Sequence, residues 1–333
     1  MLLRVALILG SLLFFKVVSN AQLPPAERQW VETLKLTGGF PPKILNSKSF
    51  VFYSHTLTQK QLQQLQDYFQ RAGIDAVGYF TLDLVLAGKD VTKAVWDYLN
   101  KREISNLIIA EQLDNKFRIS LTPYNGKESI IDPQQPAWSV THASLIEALK
   151  ILNRSVSVEM KKENLLVNSA PETEVMVNPI LGKRNEFFAV DMKVDLVAVP
   201  KFGDETLDKE LASILEANFP FQYKLVEPNI PEKELRKQGL LYILCFIRTR
   251  GELAKELLGY KSTKPETALV SVTYVDGKQQ LKTIPSSVSV YKAYFKHIDS
   301  GNVFLGTKWD ADETWQQALL NNIKAMKAEL RLN

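Results

Sequence analysis

One arrangement of residues occurs twice in this chain and restricts it more than any other feature. Trp138 is followed by Ala148 and Leu149, and Trp309 by Ala318 and Leu319, spacings that agree within one residue. Each tryptophan leads into a helical stripe: Leu145, Ala148, Leu149 and Leu152 share one face, as do Trp315, Ala318, Leu319, Ile323 and Met326. The elements ahead of each tryptophan also come in one order. In the first half, residues 49–55 read as a strand, and Thr58 with Gln61 forms a capping box for a helix carrying Leu62, Leu65, Phe69 and Ala72. Gly73 closes that helix. A strand near 75–80 follows, then a helix capped by Asp90 with Val91, Val95, Tyr98 and Leu99, a strand at 106–111, and an alternating strand at 117–122.

The second half repeats the order. Residues 194–200 read as a strand, and a helix behind Asp204 carries Leu207, Leu211, Ile214 and Leu215. A strand at 221–226, a short helix at 231–237 and an apolar central strand at 240–247 come next. Two later strands are joined by turns at Asp276-Gly277 and Asp299-Ser300-Gly301. The expected fold is therefore α/β (α+β): two similar modules, each a mixed sheet with strand–helix–strand–helix–strand, antiparallel strands and a closing helix. The first strand lies 88 residues before its tryptophan in one half (50 to 138) and 115 in the other (194 to 309). The extra length is assigned mostly to 248–267, with a helical insert at 252–260. The expected boundaries are a signal peptide at 1–21, a helical segment at 22–47 around Trp30, Val31 and Leu34, a first module at 48–153, a linker at 154–190 and a second module at 191–333.

The amino terminus carries the compartment signal. Arg4 gives a positive start, residues 5–15 are an apolar run of 11, and Ser19 and Ala21 are small residues at −3 and −1 before Gln22. At about 1.5 Å per residue such a run spans roughly half of a ~30 Å hydrocarbon core. A cleaved leader is the expectation, with the product exported to the periplasm or beyond and no transmembrane span in the mature chain. The formal charge of +4 is too balanced for a nucleic-acid partner.

Little chemistry is advertised. There is one cysteine, Cys245, inside the apolar central strand, where a small core residue is the expectation. A phosphate loop, a nucleophile elbow, a zinc-protease motif and a dinucleotide fingerprint are all missing from the sequence, and no cofactor or metal is expected. His55 stands at the end of the first strand, where α/β folds often place functional groups. His142 is placed in the first turn of a helix and His297 at an exposed turn. Asp310, Asp312 and Glu313 are read as neutralising the amino terminus of the last helix. Tyr291, Lys292, Tyr294, Phe295 and Lys296 interleave aromatics with lysines on a strand, so Tyr291 and Phe295 take one face and Lys292, Tyr294 and Lys296 the other. One core face and one solvated face are expected, and the alternative is a surface that binds an envelope polymer or a protein; with His55, the candidates for such a surface are Tyr291, Tyr294 and Lys296.

The segment from Leu196 through Val199 and Pro200 to Asp204, its helix, the strand at 240–247 and the helix after Trp309 resemble a known type of module. It is similar to the small periplasmic α/β modules of the curli export channel subunit, the TolB amino-terminal domain and the penicillin-binding-protein activator lipoproteins. The resemblance covers most of 190–333 and, by the internal repeat, 48–153. It implies a fold and an envelope location. A lipid-attachment cysteine, a membrane-inserting hairpin and a following propeller are missing. The functional expectation is an exported, non-enzymatic cell-envelope protein acting by protein–protein contacts or assembly, with an envelope protein or a second copy of itself as partner. The alternative is a secreted hydrolase or small-ligand-binding protein with a pocket between the modules.

Overall fold

A computed structural model describes residues 32–173, 175–261, 266–275 and 277–332. The expected leader, the helix expected around Trp30 and Val31, and Asp276 in the expected turn lie outside them. The described residues form two six-stranded sheets and one two-stranded sheet.

The first module contains β1 (Lys35–Leu36), β2 (Lys48–Tyr53), α1 (Gln59–Ala72), β3 (Asp75–Thr81), α2 (Leu82–Val85) and α3 (Lys89–Lys101). It continues with β4 (Asn106–Leu113), β5 (Lys116–Pro123), β6 (Pro136–His142) and α4 (Leu145–Glu159). Its sheet runs β1-β6-β5-β4-β2-β3. The second module contains β7 (Arg184–Asn185), β8 (Leu196–Pro200), α5 (Glu205–Asn218), β9 (Tyr223–Val226), α6 (Glu232–Lys237) and β10 (Leu240–Arg250). After α7 (Gly251–Leu257), β11 (Ala268–Val275) and β12 (Lys278–Pro285) come β13 (Ser289–His297), β14 (Val303–Phe304) and α8 (Trp315–Glu329). Its sheet runs β7-β14-β13-β10-β8-β9.

The two sheets match strand for strand. In each, three consecutive strands are parallel, the next is antiparallel to both its neighbours, and a two-residue strand closes the far edge in parallel. The difference in length lies between β10 and β13, where α7 and the β11–β12 hairpin replace the tight turn between β4 and β5. The insertion thus extends well past 248–267. The strands flanking Gly277 belong to it, not to the module's own sheet.

Local chemistry explains the helix starts. The Thr58 hydroxyl accepts from the Gln61 amide while the Gln61 side chain accepts from the Thr58 amide, and Gly73 ends α1 at φ 84°. Asp204 accepts from the amides of Thr206 and Leu207 at the start of α5. In each module one sheet face is covered by its first and last long helices: α1 and α4 pack on Val51, Ile108 and Ile119, and α5 and α8 on Val197, Leu244 and Phe295.

The opposite faces meet. Phe50, Phe52, Phe80, Leu107 and Ile109 from the first sheet share one continuous core with Ile247, Val290, Tyr294 and Val303 from the second. Val91, Val95 and Leu99 of α3 fill it, together with Leu253, Ala254 and Leu257 of α7. Each fully buried side chain of this kind stabilises by about 1.5–3 kcal/mol, so the modules are held by a core and not by surface contact alone.

Two boundaries move. Lys35 and Leu36 pair with Pro136 and Ala137, so the first module begins ahead of residue 48. The segment at 154–190 is not a free linker. It opens with the end of α4, its Asn164 amide donates to Leu45 O at 2.7 Å, and Gln66 Nε2 donates to Asn168 O at 2.7 Å. Glu172 then pairs with the outer edge of β3. No helix among the described residues is long and apolar enough to cross a membrane.

Candidate functional site at the module junction

β10 outruns its neighbour. β8 pairs with it only as far as Ile243, while β10 continues to Arg250. The turn between α2 and α3 docks on this overhang. Arg248 N–H donates to Ala87 O at 2.7 Å. A Cβ on Gly88 would lie 2.7 Å from the Phe246 carbonyl oxygen, which is why the close approach needs glycine. Asp83 accepts from Arg250 Nε at 2.6 Å and from the Thr249 hydroxyl at 3.4 Å.

Asp90 extends this contact. The α3 amino-terminal cap is Gly88, and Asp90, in the first turn, crosses to the other module. Its carboxylate accepts from the Tyr294 hydroxyl at 3.1 Å and from Lys296 Nζ. Lys296 also donates to Glu232 Oε1 at 2.8 Å. Burial, then the Asp90 charge, holds the Tyr294 hydroxyl well above its usual range. Burial opposes the charge on Lys296, but Cys245 once ionised, and the carboxylates of Asp90 and Glu232, outweigh it and keep the ammonium above the ordinary lysine range. Burial pushes the half-buried Cys245 thiol up to about 12. An open groove of about 470 Å³ lies over this cluster, walled by α3 at Asp97 and Tyr98, by Met176 and Pro179, and by the turn at Asp299.

These groups are poorly set for catalysis. Cys245 and Tyr294 stay protonated near neutrality, and Lys296 is held as an ammonium between two carboxylates, so neither nucleophile nor general base is poised. Among the described residues no group of three or more histidine, cysteine, aspartate or glutamate side chains is placed to hold a metal ion.

A second ion pair lies deeper. Lys292 Nζ sits 2.8 Å from Asp310 Oδ1, both side chains 0% exposed, and donates to the carbonyls of Ala293 and Leu305 at 2.8 Å. Asn322 Nδ2 donates to Asp310 Oδ2 at 3.3 Å. Burial drives the lysine down and the aspartate up from their ordinary values. The ion pair ties β13 to the segment ahead of α8.

Of the surface candidates, only His55 is exposed, in the turn after β2. Ser54 beside it accepts from the Gln112 amide at 3.1 Å, bridging β2 to β4 at that point, and His55 does not line the groove. Tyr291, Tyr294 and Lys296 are buried, which corrects the expectation of a solvated face. The alternation itself holds: Tyr291 and Phe295 enter the core beneath α5 and α8, and Tyr294 the shared core. The second face is covered because the first module packs on it. His142 ends β6 instead of opening a helix, and its Nδ1 accepts from the Ser144 amide at 2.9 Å. His297 is half-buried, edge-on to Tyr242 at 5.0 Å. The α8 cap is Thr314, while Asp310 and Asp312 serve Lys292 and Lys282. Cys245 lies in the central strand as expected.

Asp90 and Lys296 lie 206 residues apart, so no local pattern joins them. The expectation that Asp90 caps this helix is corrected: the cap is Gly88, two residues earlier, which leaves the Asp90 carboxylate to cross to the other module. No protein-family model matches the chain, and no curated protein matches it.

Proposed function

We propose that the chain is an exported cell-envelope protein that works without catalysis, by contact with an envelope protein or by self-association. The periplasmic-module resemblance and the amino-terminal leader motif support export. The observation that carries the rest is the junction: its most reactive groups, Cys245, Tyr294 and Lys296, are protonated and fixed by packing and by Asp90 and Glu232. What the fold offers outward is backbone at sheet edges, the means by which extended partners add a strand. The test is cross-linking in an intact envelope fraction, followed by mass analysis of the recovered species. An amino terminus at Gln22 and a defined complex or oligomer are expected. A chain recovered alone and monomeric overturns the assembly reading.

The groove favours a second reading, a small ligand held between the modules, since about 470 Å³ lies within the usual range for such sites. Native mass spectrometry of the purified chain decides it. A bound small molecule lost on Ala94→Trp supports the ligand reading.

A further inference from the structure

The first module shows what becomes of one edge of its sheet. Val77 and Tyr79 turn their backbone groups away from β2, and Glu172 bridges them. Its N–H donates to Val77 O at 3.0 Å and its carbonyl accepts from Tyr79 N at 2.9 Å, a parallel bridge opposite Gly78. The Glu172 carboxylate reaches the α3 side, accepting from the Tyr98 hydroxyl and pairing with Arg102. An extended segment with an acidic side chain therefore closes β3.

β9 is the counterpart of β3 in the strand order. Gln222 O accepts from Val197 N and Val226 O from Lys201 N, so the even-numbered residues face β8. In a parallel ladder alternate residues address opposite neighbours, which leaves Tyr223 and Leu225 directed outward as Val77 and Tyr79 are. Among the described residues, no hydrogen bond reaches Tyr223 O or Leu225 N. Lys224 stands between them as Gly78 stands in β3.

One cation there, Lys224, has no carboxylate partner among the described residues. Lys201, Arg236 and Lys237 are paired with Glu227, Asp299 and Glu234, and Glu232 is held by Lys296. Lys224 binds only the neutral Gln238 side chain, at 2.9 Å, and Lys233 on α6 is exposed. A residue bridging Tyr223 and Leu225 would place its side chain on the Lys224 face, because directly opposed residues in a ladder share a face.

We propose that the β9 edge binds an extended, acidic segment of a partner polypeptide, added in parallel, with its backbone joined to Tyr223 O and Leu225 N and a carboxylate beside Lys224. This rests on the protein-contact reading and assigns it a surface. The occupant is the kind of segment the chain already uses on its own β3 edge.

The test uses the full chain and a fluorescein-labelled peptide copying residues 168–177, Asn-Ser-Ala-Pro-Glu-Thr-Glu-Val-Met-Val, read by fluorescence anisotropy. Saturable binding is expected. Leu225→Pro removes the outward N–H while leaving the pairing of 224 and 226 with β8, a place where an edge strand tolerates proline. It is expected to weaken binding about tenfold or more, in line with one lost backbone hydrogen bond and a crowded edge. Lys224→Glu, which keeps the backbone intact should Leu225→Pro fail to fold, is expected to weaken it several-fold, as is a peptide carrying Glu172→Gln. Absence of saturable binding, or binding indifferent to Lys224→Glu and to a folded Leu225→Pro, overturns the proposal. If the chain assembles in the envelope but does not bind the peptide, this edge is wrong and the assembly reading stands. If it is monomeric yet binds the peptide through β9, the edge stands and self-association fails.

Discussion

α3 runs beneath the first sheet for 13 residues, whereas α6, its counterpart in the second module, has 6. At 1.5 Å per residue that is about 20 Å of cover against about 9 Å. The first sheet is roofed by its own helix. The second is roofed by α6 only near Ala198, Val226 and Ile243, and the rest of its face is left to α3, to the turn at Gly88 and to the inserted α7. Two modules with one strand order thus become unlike partners because one crossover helix is short. The missing turns make the junction, and the junction takes in Tyr294 and Lys296.

The sharpest test of this contrast is Lys292, which has no analogue in the first module, where β5 carries the buried Ser120 and Thr122 on the corresponding face. Lys292→Ala leaves Asp310 buried without its partner and is expected to cost about 3–5 kcal/mol in urea unfolding. Lys292→Met combined with Asp310→Leu should recover most of that loss. If the single substitution is neutral, the pair contributes nothing and the comparison weakens.

Alkaline titration of the junction is the next test. The Cys245 thiol is raised by burial from 9.0 to about 12, so its contribution is fully present below about 9 and is lost as pH rises towards about 12, where the unfolded chain alone binds fewer protons. Stability measured from pH 8 to 11 should fall, and Cys245→Ala should flatten the fall relative to the parent chain. Gly88→Ala is expected to cost about 1–3 kcal/mol through the clash with the Phe246 carbonyl. Hydrogen exchange at the Arg248 amide should quicken if the turn is a true docking point.

The smallest effects come from matched caps. Thr58→Ala and Asp204→Ala should each cost about 1 kcal/mol. Because the core is shared, either one should lower a single cooperative transition common to both modules. Two separate transitions, each moved by only one of the caps, would sink the shared-core account.

The helices were legible because their signals are local. Thr58 with Gln61, Gly73 and Asp204 mark ends within a few residues, and the tryptophan spacing marked the repeat. β1, β7 and β14 have two residues each, too few to carry a period, and they exist only because a neighbouring strand holds them. The alternation in β13 separated two faces correctly but carried no information on what covers each. Burial of Lys296 depends on Asp90, and burial of Lys292 on Asp310, and neither dependence is written near the lysine. The candidate site was therefore the least readable part, since it consists of contacts between modules.

The wedge at Ala87 and Gly88 also sets a schedule. The bonds it makes or adjoins join residues 167 apart at Asp83–Arg250 and 206 apart at Asp90–Lys296, and such distant pairings form late and slowly. Until β10 is complete, Val91, Val95 and the surface around Phe50 lack part of their cover. A nascent chain spends its early life with a sticky half-molecule, so premature release or truncation after the first module should yield aggregation instead of a smaller soluble domain.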